Sequence, residues 1–203
     1  MSSSEPEPTL YIAYQPIFTK DMSIHAYELL FREGAEELCI IKDGDHATKQ
    51  VVFNAIEGFG LDRIVGGAKA FINHTRGALL APSQLPHDRV VIEILEDVVV
   101  DKDMLRAVIK LYEQGYKIAL DDFQFHESFV PLLELAHYVK IDLSLQPNKE
   151  LPDLMRKLKP YQVELVAEKI ENEQDYELCK QLGFDYFQGY YLQKPIILKG
   201  EKG

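Results

Sequence analysis

Lys117-Ile118-Ala119-Leu120-Asp121-Asp122-Phe123 is the stretch on which the reading of this 203-residue chain turns. Its apolar run has the length of a buried strand and ends in two adjacent carboxylates. An Asp just after a strand commonly caps the next helix, and for one strand alone that is the simpler reading. Two carboxylates delivered together into a pocket mouth also suit a divalent cation, which takes hard oxygen ligands and neutralises the repulsion between them. The rest of the chain decides the matter, because the same strand-then-polar pattern recurs on both sides.

Upstream, Leu10 to Phe18 and Ile24 to Phe31 read as strands joined by the tight connection 20–23, and so short a link makes them antiparallel. Residues 34–44 read as irregular. Asp45 then caps a helix whose apolar face is Ala47, Val51, Val52, Ala55, Ile56 and Phe59. Strands follow at Lys69 to Asn73 and Val90 to Ile94. Asp101 opens a helix expected to turn Met104, Leu105, Val108, Ile109 and Tyr112 inward, with Gly115 as its stop. Downstream of the central strand come a helix through Leu132, Leu133 and Leu135, a strand at Tyr138 to Ile141, and a helix carrying Leu151, Leu154, Met155 and Leu158. A strand at Val163 to Ala167, a helix at Asn172 to Leu182 stopped by Gly183, and a strand at Phe184 to Gln188 complete the series. About eight strands, all but the first alternating with helical or loop segments, predict an α/β fold: a TIM-like (β/α)8 barrel with an antiparallel first strand. An open doubly wound sheet is the other arrangement considered, but no Gly-rich phosphate loop follows any strand. Residues 1–8 read as a flexible tail, 9–198 as the barrel domain and 199–203 as a polar C-terminal tail.

The formal net charge of −11 argues against broad binding to nucleic acid polymers or an anionic membrane. A phosphate ligand would need local cations. No run of 18 apolar residues and no signal-peptide pattern occurs, so the expected location is the cytoplasm. Cys39 and Cys179 stand in no metal or redox spacing and read as reduced, packed thiols.

Barrel sites lie at the carboxyl ends of the strands, and nearly every strand brings a polar group there. The second brings Glu28 with Arg32 beyond it, the third Asn73, and the fourth Glu93 with Glu96 beyond. The fifth brings Asp121 and Asp122, the sixth Lys140 and Asp142, the seventh Glu168 with Glu171, and the eighth Gln188. Each alone could be a cap, an ion pair or a surface group. Jointly they would gather uncompensated carboxylates at one mouth, at a cost that a divalent cluster removes. The chemistry therefore points to a two-metal hydrolase of phosphate esters, with Lys140 or Arg32 meeting the phosphate.

The motifs Gln15-Pro16-Ile17, Tyr27-Glu28-Leu29-Leu30-Phe31-Arg32, Phe71-Ile72-Asn73, Glu93-Ile94-Leu95-Glu96, Leu120-Asp121-Asp122-Phe123, Lys140-Ile141-Asp142, Ala167-Glu168-Lys169-Ile170-Glu171 and Gln188-Gly189-Tyr190 occur in this order. From Gln15 to about Pro195 the chain resembles the EAL family of bacterial cyclic di-GMP phosphodiesterases. The segment 43–48 and the loop after the fifth strand resemble more closely the EAL half of proteins that carry a downstream HDOD domain. The resemblance implies hydrolysis of cyclic di-GMP to linear pGpG with two Mg2+ or Mn2+ ions. It implies that Glu28, Asn73, Glu93 and Asp121 hold one ion and Asp121, Asp122 and Glu168 the other, while Lys140 and Glu168 manage the attacking water and the phosphate. Gln15, Arg32 and Gln188 would contact or line the ligand site, Glu96 would brace the loop after the fifth strand, and Asp142 and Glu171 would support the metal side.

Two departures from the family pattern stand out. Leu29 replaces an Ala, and Phe123-Gln124-Phe125-His126-Glu127-Ser128 replaces a segment carrying two glycines, in a loop that the family uses to position metals and form dimers. A homodimer is accordingly in question, and a receptor module that binds cyclic di-GMP with little or no cleavage is the alternative to an enzyme.

Overall fold

A computed structural model describes residues 9–30 and 44–201 of the chain. Strand β1 (Thr9–Thr19) and strand β2 (Ile24–Leu30) pair antiparallel, with Gln15 opposite Glu28. After helix α1 (Gly44–Phe53), a π-helical turn at Asn54–Gly58 and helix α2 (Leu61–Val65) comes β3 (Lys69–His74). Of the expected face of the first helix, Val51, Ala55 and Phe59 are buried and Val52 and Ile56 pack against the core, while the Ala47 side chain lies outside what the structure describes. Helix α3 (Arg76–Leu80), not foreseen in the sequence, is capped by Thr75 and leads to β4 (Val90–Ile94).

Helix α4 (Lys102–Glu113) is capped by Asp101, which accepts from Asp103 N and Met104 N. Its buried stripe is Met104, Val108 and Leu111. Ile109 and Tyr112, expected inward, are instead exposed (37 and 44%). They sit one position on from the buried i, i+4, i+7 row, on a ridge that points past the sheet.

The series continues with β5 (Lys117–Leu120), a 3-10 turn at Glu127–Phe129, helix α5 (Val130–Leu133), β6 (Tyr138–Asp142) and α6 (Leu151–Leu158). Next stand β7 (Glu164–Glu168), α7 (Glu173–Leu182), which ends at Gly183 with φ 92°, and β8 (Tyr186–Phe187). Strands β2 to β8 pair in parallel in sequence order, and β1 closes the ring antiparallel to both β2 and β8. This is the expected eight-stranded TIM-like barrel. A further strand, β9 (Ile196–Glu201), pairs antiparallel with the first half of β1, Tyr14 opposite Ile196 and Thr9 opposite Glu201. Residues 199–201, read as tail, are thus the end of a strand. No helix among the described residues is long and apolar enough to cross a membrane.

Two apolar layers hold the barrel. The outer one, between sheet and helices, gathers residues such as Leu29, Ile72, Ile92, Leu120, Val139 and Ile141 with the helix faces. The inner one fills the lumen with Ile17, Ala26, Phe71, Val91, Ala119, Tyr138 and Val166, backed by Tyr186. Each strand gives one residue to this inner layer. Because side chains alternate with period 2, the next inward position is two residues further toward the carboxyl end, and two residues back on the antiparallel β1.

Candidate active site

That next inward layer is Gln15, Glu28, Asn73, Glu93, Asp121, Lys140, Glu168 and Gln188: each stands two residues from an inner-layer apolar residue. Every strand of the ring contributes one polar group at one height. At the centre is the Lys140 ammonium, 1% exposed, with Glu168 at 2.8 Å, Asp121 at 3.0 Å, Glu28 at 3.6 Å and Glu93 also in direct contact. Burial alone would lower the Lys140 pKa, but the surrounding Asp121, Glu168, Glu28 and Glu93 outweigh it and hold the ammonium charged, well above its ordinary value.

One ammonium cannot compensate four carboxylates. Burial pushes Glu93 and Glu168 well above the ordinary carboxyl range, against the pull of Lys140. For Asp121 the desolvation is overcome by Lys140 and the carboxyl is held low. Asp122, at the rim, is raised to about 6 by burial and by Asp121 beside it. Residue 122 also carries a left-handed backbone, φ 40°, which turns its carboxylate back toward the mouth.

The other members are fixed by hydrogen bonds around the ring. Gln188 Nε2 donates to Glu28 Oε2 (2.6 Å) and to Gln15 Oε1 (3.2 Å), and Gln15 Nε2 donates to the Gln193 carbonyl (2.9 Å). Asn73 Nδ2 reaches Glu28 Oε1 at 3.4 Å. Gly189 follows Gln188 with φ 159°, and a Cβ there would meet the Ile170 carbonyl at 2.2 Å, so only glycine lets the β8 loop lie against the β7 loop.

A divalent cation fits these residues. Buried acceptors Asn73 Oδ1, Glu93 Oε2 and Gln188 Oε1 have no hydrogen-bond partner. In addition, one oxygen from each of Asp121, Asp122 and Glu168 lies within 4.8 Å of the other two. Unpaired hard oxygens around excess negative charge are what such an ion satisfies. The layer opens into a cavity of about 420 Å³ whose wall includes Gln15, Glu28, Asp122, Glu171, Tyr190 and Pro195.

The remaining expected residues fall as follows. Asp142 is buried, and both its oxygens are engaged, one by Ser144 N and Oγ and the other by Lys169 Nζ. It is a structural anchor below the rim. Glu171 lies exposed on the cavity wall. Arg32 lies outside the described residues. Glu96 is exposed and makes no hydrogen bond or ion pair with the loop after β5, so the expected brace is absent. That loop is held by other means: Phe123 N donates to the Lys140 carbonyl (2.9 Å), and the buried Phe123 ring packs edge-on against Phe125 and Phe129. Aromatic packing has taken over where the strand-four acid leaves no contact.

Two wall residues were given no role in the sequence reading. Tyr190 is 56% exposed at the rim, and only its place in the Gln188-Gly189-Tyr190 motif signalled it. Lys169 stands in the Ala167-Glu168-Lys169-Ile170-Glu171 motif, and what singles it out is its backbone conformation.

Barrel and site together define an EAL-type domain, and comparison with known proteins agrees. The family model described as EAL domain matches residues 66–195, so this chain belongs to the EAL domain family. It is 32% identical over 198 residues to the uncharacterized protein YuxH of Bacillus subtilis, covering 94% of this chain and 48% of that protein. It is 31% identical over 196 residues to the cyclic di-GMP phosphodiesterase CdgJ of Vibrio cholerae, covering 94% of this chain and 45% of that protein. The chain therefore spans about half the length of these curated relatives. Among solved structures, the Bacillus subtilis YkuI protein, crystallised with substrate cyclic di-GMP and calcium, superposes with a TM-score of 0.75 at 22% identity over 96% of this chain and 57% of YkuI.

Proposed function

We propose that this chain hydrolyses cyclic di-GMP to linear pGpG with two divalent ions, magnesium or manganese. The observation that carries the reading is the single polar layer, in which four carboxylates face one ammonium and three buried acceptor atoms lack a partner. Glu28, Asn73, Glu93 and Asp121 would hold one ion, and Asp121, Asp122 and Glu168 the other. Such ions supply charge neutralisation for the phosphodiester and acidify the attacking water.

The chain's own residues do the rest. Lys140, fixed among Glu28, Glu93, Asp121 and Glu168, keeps those ligands converged and holds a positive charge beneath the place the phosphate would occupy. Glu168, beside Lys140, is placed to take the proton of the attacking water. One water adds across one P–O bond, the ring opens, and the product carries a terminal phosphate and a new hydroxyl. Gln188 fixes Glu28, and the Tyr190 ring at the rim offers a face on which a base can stack. CdgJ, which bears this activity in its name, and the substrate complex of YkuI support the choice of ligand. A neighbouring regulatory domain, of the HDOD kind or another, belongs to the same proposal, since the curated relatives are about twice as long.

Chromatography of cyclic di-GMP incubated with the chain and manganese tests this. Linear pGpG should accumulate, and Glu28→Ala or excess EDTA should stop it. Intact substrate after prolonged incubation at micromolar protein with either metal would overturn the enzyme in favour of a receptor module.

A further inference from the structure

Among the described non-glycine residues, Met22, Asp122 and Lys169 adopt positive φ, and Lys169 at φ 53° stands directly after Glu168 on the cavity wall. A side chain with a Cβ is disfavoured in that region, where glycine is unstrained. The conformation is held from both sides: before Lys169 the Glu168 carbonyl accepts from Leu143 N (3.2 Å), and after it Ile170 N donates to the Gln188 carbonyl (3.1 Å) while the Ile170 carbonyl accepts from Tyr191 N (3.0 Å). The turn thus holds a lysine where the backbone would be satisfied more easily by glycine. Its ammonium is tethered to the buried Asp142, yet the side chain is 56% exposed. Asp142 does not depend on it alone, because Ser144 N and Oγ already donate to the other carboxylate oxygen.

Among the described residues of the cavity wall the cations are Lys140 and Lys169. Lys140 is 1% exposed and enclosed by carboxylates, so among the described wall residues the cation an anion from solvent meets is Lys169, with the Lys194 ammonium further out, 5.7 Å from the centre of the Tyr190 ring. The chain as a whole, at net charge −11, repels such an anion. We propose that Lys169 is a ligand-contacting residue: aimed by its left-handed backbone and by Asp142, its ammonium receives a phosphate group of the dianionic cyclic dinucleotide at the mouth. This assignment rests on the functional reading above, and the experiment separates the two.

Cyclic di-GMP binding is measured by calorimetry with calcium, the ion present in the YkuI substrate complex, at low and moderate salt. The proteins are the wild-type chain, Lys169→Gln, Lys169→Arg and Lys169→Gly. Lys169→Gln and Lys169→Gly should weaken binding about tenfold at low salt and flatten its salt dependence, while Lys169→Arg stays close to wild type. Lys169→Gly relieves the backbone strain but leaves Asp142 held by Ser144 N and Oγ alone, so the melting temperature of each variant is taken without ligand, and weaker binding by a variant still fully folded at the assay temperature reports on contact and not on unfolding. Wild type that binds while Lys169→Gln matches its affinity and salt dependence overturns the assignment and leaves the functional reading intact. An equal loss in Lys169→Arg also overturns it, since charge would not be what matters. Wild type that binds no cyclic di-GMP at either salt overturns the functional reading and this assignment with it.

Discussion

Lys140 is the residue on which the site's electrostatics depend, and its removal should be read through the carboxylates it leaves behind. Lys140→Met deletes the ammonium among Glu28, Glu93, Asp121 and Glu168. Breaking a buried ion pair from one side typically costs about 3–5 kcal/mol. The expected result is a large fall in melting temperature without metal, much of it recovered on adding manganese, because a divalent ion supplies the missing charge. A fall of the same size with and without manganese would contradict the cation-site reading.

His74, at the end of β3 and 5% exposed, gives a separate prediction. Its Nδ1 donates to the Ile72 carbonyl (2.7 Å), and burial pushes its pKa down to about 4. The folded value lies below the unfolded one of about 6.5, so between the two the unfolded chain binds the extra proton. This contribution to stability is fully present above about pH 6.5 and is lost as pH falls toward 4, on the order of 3 kcal/mol at most. Denaturant titrations at pH 7.5 and 5 should show that His74→Asn reduces the pH dependence. An unchanged difference between the two pH values would assign the slope to other groups.

Among the elements, the loop after β5 separates what sequence could show from what it could not. Asp121 and Asp122 were legible because a four-residue apolar strand delivers them. The brace by Glu96 was an inference about packing, and no local pattern tells whether an acid two residues past a strand turns inward. The loop's own aromatics decided it. Glu96→Ala should therefore be nearly silent in stability and turnover, within about 0.5 kcal/mol. Phe123→Ala empties a buried site at the base of the loop and should cost about 3–5 kcal/mol, lowering turnover as Asp121 and Asp122 lose their support. Equal effects of the two substitutions would return the bracing role to Glu96.

For α4, the helix and its cap were readable from Asp101 and the periodic apolar residues, but the choice between the Met104-Val108-Leu111 row and the neighbouring Ile109-Tyr112 ridge was not. Both rows are apolar, and which one meets the sheet is set by how the helix lies on it. Strand β9 was missed for a different reason. Ile196-Ile197-Leu198 pairs with β1, its partner at the opposite end of the sequence, and such non-local pairing leaves no mark in the local pattern. The backbone conformation of Lys169 was invisible in the same sense, since its φ is set by non-local contacts, among them those of Ile170 with the β8 loop.

At the scale of the whole molecule, the barrel converts a weak sequence signal into a strong one. Eight separate strands each carry one polar residue two positions beyond an apolar one, and only closure by β1 against both β2 and β8 brings them to one height. The cost of gathering four acids there, in a chain already at net charge −11, is what calls for bound cations. An anomalous difference map from a crystal of the chain soaked in manganese tests this most directly. Two peaks roughly 3.5 to 4 Å apart within the polar layer, with Asp121 between them, are the expected result. A soaked crystal with a single peak, or with no manganese at Glu28, Glu93, Asp121 and Glu168, would contradict the two-metal site.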